Sequence, residues 1–470
     1  MNFQLSEDRL FPVDPATRRT ARALYERVAD MPIISPHGHV DPGILRDNEP
    51  FRDPFELFIR HDHYVLRVLH SVGIGLERLG IPERNGGTVA VSPREAWRTF
   101  CANWHLYAGT ASGYWLMDTL VRQFRIDEVP CDDNADALFD AIQSLLASPE
   151  FRPRALFERF GIEVLATTDD PLDDLAAHRV LAADAGFHGR VIPTFRPDAY
   201  LDPSSRGWVG RVRSLLDATG VSGTGYPAYV EALEMQRRRF IAHGAVSADH
   251  GVPQPLAVEM GRAEASRLFD AGMRGTLGEE DARRFAGHML LEMARMSVQD
   301  GLVMTIHPGV YRNHHGDTLR RFGPDLGHDI PVRTQFVQPL RPLLERYGDA
   351  EGFHLVLFSV DETTFSREIA PLAGFYPCVY IGAPWWFLDA PDAVTRFRAA
   401  VTETAGFYKG SGFIDDTRAF MSIPARHDMA RRLDAGFLAR LVGEGRVPLP
   451  LAERIIVDAT GSMPRKVFKL

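Results

Sequence analysis

Short apolar runs recur along the whole chain, and each of them ends in glycine or in polar residues. After an amphipathic helix predicted over residues 16–31, eight such runs are candidate strands, and most are separated by stretches long enough for a helix. Alternating strands and helices favour parallel βαβ units, and eight units match a closed (β/α)8 barrel. The fourth run is the weakest candidate, because Gly244, Ala245 and Ser247 present little surface for packing. The runs are PIISPHGHV from residue 32, FGIEVLATTDDP from 160, GRVIPTFRPDAY from 189, AHGAVSADHG from 242, DGLVMTIHPG from 300, FHLVLFSVDE from 353, YPCVYIGAP from 376 and GSGFIDDTR from 410.

Several connections between these runs are too long for simple barrel crossings. Residues 41–158, 201–241 and 253–299 carry further helical patterns, with charged residues gathered on one face. Neither a Gly/Ser-rich linker, a short repeat nor a low-complexity tract divides the chain. We therefore predict a single α/β unit over residues 1–470, a distorted (β/α)8 TIM-type barrel with large helical insertions.

Composition and charge narrow the range of partners. The chain has 470 residues, of which 45% are hydrophobic and 24% charged, as in an ordinary globular protein. A formal net charge of −9 without a long basic run argues against nucleic acid and anionic membrane surfaces as partners. The N-terminal residues lack a signal pattern, and no apolar stretch approaches the ~18 residues that span a bilayer. The three cysteines, Cys101, Cys131 and Cys378, are scattered, which is typical of reduced thiols, so we expect a cytoplasmic protein.

Two histidines that are one residue apart end the first run. On a strand, residues i and i+2 point the same way, so His37 and His39 would present two imidazoles on one face. Such a pair is half of a site for a divalent metal ion. Taken alone, the pattern is more often a hydrogen-bonded histidine pair, and the chain holds a second His-x-His triplet at residues 61–63.

Polar residues also follow most of the other runs, where a barrel of this class builds its active site. Asp416 and Arg418 after the eighth run form another i, i+2 pair, which shares one face if the strand is regular. Two imidazoles and a carboxylate suit Zn²⁺ or a similar ion, and arginine offers a planar fork for a carboxylate. Together these residues favour a metal site beside an anion site. The other candidates are Asp169 and Asp170 after the second run, Arg196 and Asp198 after the third, Asp249 and His250 after the fourth, and His307 after the fifth.

The order of these motifs resembles that of the uronate isomerases, also called glucuronate isomerases, of the amidohydrolase superfamily. The matching motifs are HGH, DHY, TTDDP, FRPD, SADH, IHPGVYRN, GPDLG, WWF and DTR, which cover nearly the whole chain. HGH alone is shared with many hydrolases, whereas TTDDP, FRPD, WWF and DTR together are far more specific. The resemblance implies an enzyme that interconverts D-glucuronate with D-fructuronate, and D-galacturonate with D-tagaturonate.

The resemblance also implies roles for individual residues. It gives His37, His39 and Asp416 as ligands of a divalent metal ion, and Arg196 as a substrate-binding residue. His63, in DHY, corresponds to a histidine that reaches the site from the first insertion.

Two features depart from the family and its relatives. The segment after the sixth run reads Ser359-Val360-Asp361-Glu362 where an Asn-Pro sequence is expected, which puts any role carried over to this loop in doubt. A lysine after the fourth run and a histidine after the sixth run, which hydrolytic relatives use for a second metal, are not evident. We therefore expect a single metal ion, with Zn²⁺ as the first candidate.

Isomerisation moves a hydrogen between C2 and C1 of the sugar, which requires an electrophile for the developing oxyanion and a base for the C2 proton. The metal ion would act as the Lewis acid, and the base is either Asp416 or a metal-bound hydroxide. His63 or His307 would donate to substrate oxygens, and His307 is alternatively a further ligand.

The remaining predicted residues bind the substrate. Arg196 and Arg418 are predicted to hold the uronate carboxylate. Tyr64, Trp385 and Trp386 are predicted to form the wall of the pocket, although core packing explains one of the two tryptophans equally well.

Two other functions fit parts of the pattern. A mononuclear metal-dependent amidohydrolase would activate water on the same ligands. A binding protein for sugar acids would need the arginines and tryptophans but no metal ion. In each case the expected partner is a small sugar acid, and we expect a homo-oligomer.

Overall fold

The barrel strands lie where the apolar runs predict them. The computed structural model describes residues 2–86 and 90–470 of the chain. Within these residues, seven of the eight runs contain a strand that pairs in parallel with a neighbour, and two further strands form a short antiparallel hairpin. The strands are β1 (Ile33–Ser35), β2 (Ile162–Ala166), β3 (Arg190–Ile192), β4 (Ser247–His250), β5 (Val303–Ile306), β6 (Val310–Tyr311), β7 (Ile330–Pro331), β8 (Leu355–Leu357) and β9 (Val379–Ile381).

Two parallel sheets and a few single bridges complete the ring. The strand orders are β1-β2-β3 and β4-β5-β8-β9. Phe195 follows β3 and bridges it to β4, and Gly410 pairs with the end of β9. The segment after Gly410 returns to the first strand, where the backbone N–H of His39 donates to the carbonyl of Thr417 over 3.0 Å. The fold is therefore the predicted distorted α/β barrel.

The fourth run is confirmed as a strand, whereas the eighth run is not. The fourth run, the weakest candidate, forms a regular strand that is buried along its whole length. Its polar residues are stable there because they bind neighbouring strands, as Asp249 does with Thr305 over 2.6 Å. The eighth run pairs only at Gly410, and Asp416 has a left-handed φ of 41°, so the expectation of a regular strand is wrong here.

Helices surround the barrel and fill the long connections. None of the helices in the described residues is both long and apolar enough to cross a membrane. The first begins at Pro15, after the N-cap Asp14, and ends at Glu26, five residues before the predicted end at residue 31. The helices are α1 (Pro15–Glu26), α2 (Gly43–Asp47), α3 (His63–Ser71), α4 (Pro93–Ala102), α5 (Ala111–Phe124), α6 (Ala135–Leu146), α7 (Pro153–Arg159), α8 (Ala176–Ala183), α9 (Asp198–Leu201), α10 (Trp208–Thr219), α11 (Tyr226–Ala242), α12 (Arg262–Met273), α13 (Glu279–Asp300), α14 (Gly316–Arg321), α15 (Arg341–Tyr347), α16 (Ala370–Phe375), α17 (Pro391–Ala405), α18 (Ile423–Gly443), α19 (Leu449–Val457) and α20 (Met463–Phe468).

The helices between β1 and β2 share one apolar core with the strands. Trp97 and Phe100 of α4 belong to the same buried cluster as Ile33 of β1 and Leu165 of β2. Leu66 of α3 lies in this cluster with no exposed surface. Because α3 packs into the common core, its first turn, which carries His63 and Tyr64, has a fixed position at the edge of the barrel.

Candidate active site

Three histidines and one aspartate meet inside the ring of strands. His37 and His39 follow β1, His307 follows β5, and Asp416 belongs to the irregular segment after β9. The Oδ1 atom of Asp416 lies 3.4 Å from Nε2 of His37 and 3.1 Å from Nε2 of His39. The rings of His37 and His307 stack with their centroids 4.6 Å apart. We call these four residues the His/Asp cluster.

The free nitrogen and oxygen atoms of the His/Asp cluster match the needs of a metal ion. Both ring nitrogens of His37, Nε2 of His307 and Oδ1 of Asp416 are buried, and none of them makes a hydrogen bond of good geometry within the described residues, although Oδ1 of Asp416 is close to Nε2 of His37 and of His39. One potential ligand atom from each of these three residues lies within 4.8 Å of the others. Buried polar atoms without partners are rare, and a divalent cation would satisfy one ring nitrogen of His37, Nε2 of His307 and Oδ1 of Asp416. The geometry therefore brings His307 into the predicted set of His37, His39 and Asp416.

Asp249 orients His307 from behind. Its Oδ1 lies 2.5 Å from Nδ1 of His307, which leaves Nε2 of the ring directed at the cluster. Burial alone would raise the pKa of Asp249, but His307, Arg196 and His37 hold it well below its ordinary value. A carboxylate that fixes the far nitrogen of a histidine is typical of metal sites. The sequence placed Asp249 after the fourth run without assigning it a role, because the pairing with His307 joins two distant segments.

The backbone around Asp416 is held by its neighbours. Asp415 binds Nε2 of His427 over 3.0 Å, and the carbonyl of Thr417 accepts the N–H of His39. Asp416 itself adopts its left-handed φ between these two anchors. Left-handed backbone in a non-glycine residue is costly and is concentrated at functional sites.

A cavity of about 450 Å³ opens next to the His/Asp cluster, and we call it the substrate pocket. It brings together residues that follow β1, β2, β3 and β4 with residues from α3, the β6–β7 connection and the segments after β9. His37 and His307 lie in the cluster and not on the pocket wall. The predicted residues that line the pocket are His39, His63, Tyr64, Arg196, Trp385, Trp386, Asp416 and Arg418.

Arg196 and Arg418 of the substrate pocket differ in the ion pairs that they form with neighbouring carboxylates. Arg196 contacts Asp198 through Nε over 2.8 Å and Asp249 through Nη1 over 3.1 Å. Arg418 is 40% exposed and forms an ion pair with Asp325 over 3.3 Å. Arg196 is therefore held by two carboxylates, whereas Arg418 lines the pocket with a more exposed side chain.

His63 and Tyr64 of α3 line the same substrate pocket as Arg196. Burial, with Arg418 and Arg426 nearby, lowers the pKa of His63 to about 3, so its ring is neutral at ordinary pH. The hydroxyl of Tyr64 donates to the carboxylate of Asp389, with O–O distances of 2.8 and 3.0 Å. The neutral His63 ring is able to donate a hydrogen bond to a bound molecule.

The segment that departs from the family forms a closed turn. Asp361 accepts hydrogen bonds from the backbone N–H groups of Thr363 and Thr334, each over 3.1 Å. Ser359 binds the hydroxyl of Thr364 over 2.9 Å. The side chains of Ser359 and Asp361 are engaged within the turn, which supports the position of Phe358 against the His307 ring.

Sequence reasoning missed the part of the pocket that the β6–β7 connection supplies. Arg312, Asn313, Asp325 and Asp329 all line the cavity, and Arg312 lies over the ring of Trp386 at 4.8 Å. The motifs IHPGVYRN and GPDLG contain the first three of these residues. Their chain position gave no sign that a hairpin folds back over the barrel mouth.

The whole chain matches a known family. A family model described as glucuronate isomerase matches residues 13–461. A uronate isomerase from Corynebacterium efficiens is 50% identical over 464 residues, which cover 98% of both chains.

Solved structures agree with this assignment. The crystal structure of glucuronate isomerase from Caulobacter crescentus superposes with a TM-score of 0.97 at 46% identity, over 100% of this chain and 98% of the other. The uronate isomerase from Thermotoga maritima gives a TM-score of 0.92 at 26% identity, over 99% and 100% of the two chains. The chain therefore belongs to the glucuronate isomerase family.

Proposed function

We propose that this member of the glucuronate isomerase family binds a hexuronate in the substrate pocket and interconverts D-glucuronate with D-fructuronate, and D-galacturonate with D-tagaturonate. The observation that carries the proposal is the His/Asp cluster, whose unpartnered buried atoms adjoin a polar cavity lined by arginines. A sugar acid needs both parts, one for its carbonyl end and one for its carboxylate.

We assign the metal ligands to His37, His307 and Asp416, with His39 beside them, and Zn²⁺ as the preferred ion. Imidazole and carboxylate donors suit this ion, and the Asp249–His307 contact supports the assignment. When bound, the ion would supply Lewis-acid polarisation of the substrate carbonyl.

Arg196 and Arg418 are the proposed anchors for the uronate carboxylate. Arg418 is the more open of the two, and Arg196 is held rigid by Asp198 and Asp249. A rigid guanidinium loses little freedom when the substrate binds, which helps to align C1 and C2 with the His/Asp cluster.

The chain then moves one proton between two carbons. The carboxylate of Asp416 removes the proton from C2, a double bond forms between C1 and C2, and O1 takes a proton from the neutral ring of His63. In the second half, Asp416 returns its proton to C1, the C2 carbonyl forms, and the O2 proton goes back to His63. His63 is favoured over His307 as the donor, because His307 has one nitrogen on Asp249 and the other at the cluster.

The decisive experiment is a ¹H NMR assay of D-glucuronate with the protein in D₂O. We expect ketose to form and solvent deuterium to enter the sugar, because a base that exchanges with solvent carries the proton. Hydrolysis of amide or ester substrates without ketose formation would favour the amidohydrolase alternative. Ligand binding without metal and without turnover would favour a sugar-acid binding protein.

The proposed setting of the enzyme is the cytoplasm. All three cysteines are free thiols, which suits a reducing compartment. We propose that residues 1–470 act as one catalytic unit, with the insertions at 41–158, 201–241 and 253–299 built onto the barrel. Self-association as a homo-oligomer stays a prediction.

A further inference from the structure

A second cavity, of about 690 Å³, adjoins the substrate pocket. His39 and Thr168 line both cavities, so the chain segments after β1 and β2 form their common wall. The rest of the second cavity is built by α2 with its flanking loops and by the loop that leads into α8. We call this cavity the acidic cleft.

The acidic cleft has an excess of carboxylates. Three of them, Asp41, Asp173 and Asp174, form no ion pair within the described residues and accept only backbone N–H groups, over 2.8, 2.6 and 2.8 Å. Arg46 is engaged by Asp47 through two contacts of 2.6 and 2.8 Å. With Glu49, Asp169 and Arg52, the lining has six acidic side chains against two arginines. Glu49 also pairs with Arg152 and burial raises the pKa of Asp169 to about 7, so the unbalanced charge lies on Asp41, Asp173 and Asp174. Such a cleft attracts cations and repels an anionic sugar acid.

His178 on α8 offers a nitrogen ligand in the same cleft. The residue is 2% exposed, its Nε2 lies 2.8 Å from the hydroxyl of Thr167, and its Nδ1 has no partner within the described residues. Burial lowers the pKa of His178 to about 4, so the ring is neutral. An unpartnered buried nitrogen is costly, and a cation or its hydration water would satisfy it.

We infer that the acidic cleft is a transient binding site for divalent cations, from which the metal ion passes by His39 to the His/Asp cluster. The inference rests on the proposed function, since it takes the cluster to be a metal centre. It assigns the cation and the sugar acid to two different cavities that meet at His39. The cation reaches His39 from the acidic cleft, and the uronate enters the substrate pocket with its arginines.

The test measures how fast the metal-free protein takes up Co²⁺, followed by the visible absorption of the bound ion. A triple variant, Asp41→Asn, Asp173→Asn and Asp174→Asn, removes three charges and keeps the oxygen atoms that accept the backbone N–H groups. We expect the second-order rate constant of uptake to fall about tenfold at low ionic strength, because the cleft no longer concentrates the cation. The difference from wild type should shrink as salt is added, and the final Co²⁺ content should stay the same.

A matched control separates the cleft from the net charge of the protein. The variant Asp132→Asn, Asp133→Asn and Glu351→Gln removes three exposed carboxylates that do not line the cleft, and it should take up Co²⁺ at the wild-type rate. Equal slowing in both variants, or wild-type uptake in the cleft variant, would overturn the inference. Single asparagine variants, each with a smaller slowing, replace the triple variant if it does not fold.

The outcomes also separate this inference from the proposed function. Wild-type protein that takes up no Co²⁺ would overturn the metal assignment and the inference together. Normal Co²⁺ binding at the His/Asp cluster, with uptake that is insensitive to the cleft charges, would overturn the inference alone.

Discussion

Two clusters of buried polar residues lie near each other and differ in one respect. In the His/Asp cluster, His37 is 1% and Asp416 is 7% exposed, and both carry atoms without partners. In the second cluster, Arg426 is 3% and Asp389 is 7% exposed, yet Asp389 accepts from Tyr64 and from Arg426, at 2.9 Å for the latter. We call the second group the Tyr64–Asp389–Arg426 cluster.

The comparison shows that burial alone does not mark a functional site. The Tyr64–Asp389–Arg426 cluster satisfies its own polar atoms and so stabilises the fold and orients Tyr64. The His/Asp cluster leaves nitrogen and oxygen atoms without hydrogen bonds, which is unfavourable in the free protein, and a bound ligand would remove this unfavourable term. Substitutions in the His/Asp cluster should therefore change catalysis more than stability. Substitutions in the Tyr64–Asp389–Arg426 cluster should change stability more than catalysis.

The largest effect is expected for Asp416→Asn. Turnover of D-glucuronate should fall by roughly 10²–10⁴-fold, because the proposed base is lost, while the protein stays folded. Metal content measured on the same sample separates the two causes, since dead protein that retains its metal supports Asp416 as the base. Full activity of this variant would contradict the mechanism.

A substitution in the Tyr64–Asp389–Arg426 cluster should lower the stability of the fold. Asp389→Asn removes the ion-pair partner of the buried Arg426, so the free energy of unfolding should fall by about 3–5 kcal/mol in urea denaturation. The control is Glu345→Gln, which breaks an exposed pair with Arg341 and should cost no more than about 0.5 kcal/mol. Equal costs in the two variants would show that the buried pair is not special.

Arg196→Met tests the carboxylate end of the substrate pocket. KM for uronates should rise by roughly 10- to 150-fold, because the loss of a charged hydrogen bond costs about 1.5–3 kcal/mol. Neutral aldoses should remain poor substrates of wild type and variant alike. If the variant handles D-glucuronate normally, the anchor lies elsewhere, and Arg418→Met is the next variant to measure.

The smallest of these effects is expected at Asp249, which touches His307 from outside the cluster. Asp249→Asn should weaken metal binding by about 10- to 100-fold, as measured by competition with a chelating dye. Unchanged affinity would remove His307 from the ligand set, because its orientation would then not matter.

Much of the fold followed from the sequence, because the apolar runs reflect local periodicity. Seven of the eight runs contain strands, and the order of strands and helices was enough for the barrel class. The eighth run does not form a regular strand, because the Asp415 side chain binds His427 and the carbonyl of Thr417 binds His39, and no local pattern encodes these contacts. The fourth run forms a strand because Thr305 of β5 donates a hydrogen bond to its buried Asp249.

The sequence by itself determined which residues follow each strand, and hence that His37, His39, Arg196, His307 and Asp416 gather at one end of a barrel. Only the tertiary structure decided that Asp249 sits behind His307, that the β6–β7 connection lines the substrate pocket, and that an acidic cleft adjoins His39. The physical reason is the separation along the chain of the residues that interact. Strand periodicity depends on neighbours along the chain, whereas hydrogen-bond satisfaction and cavity shape depend on groups that are brought together from distant segments.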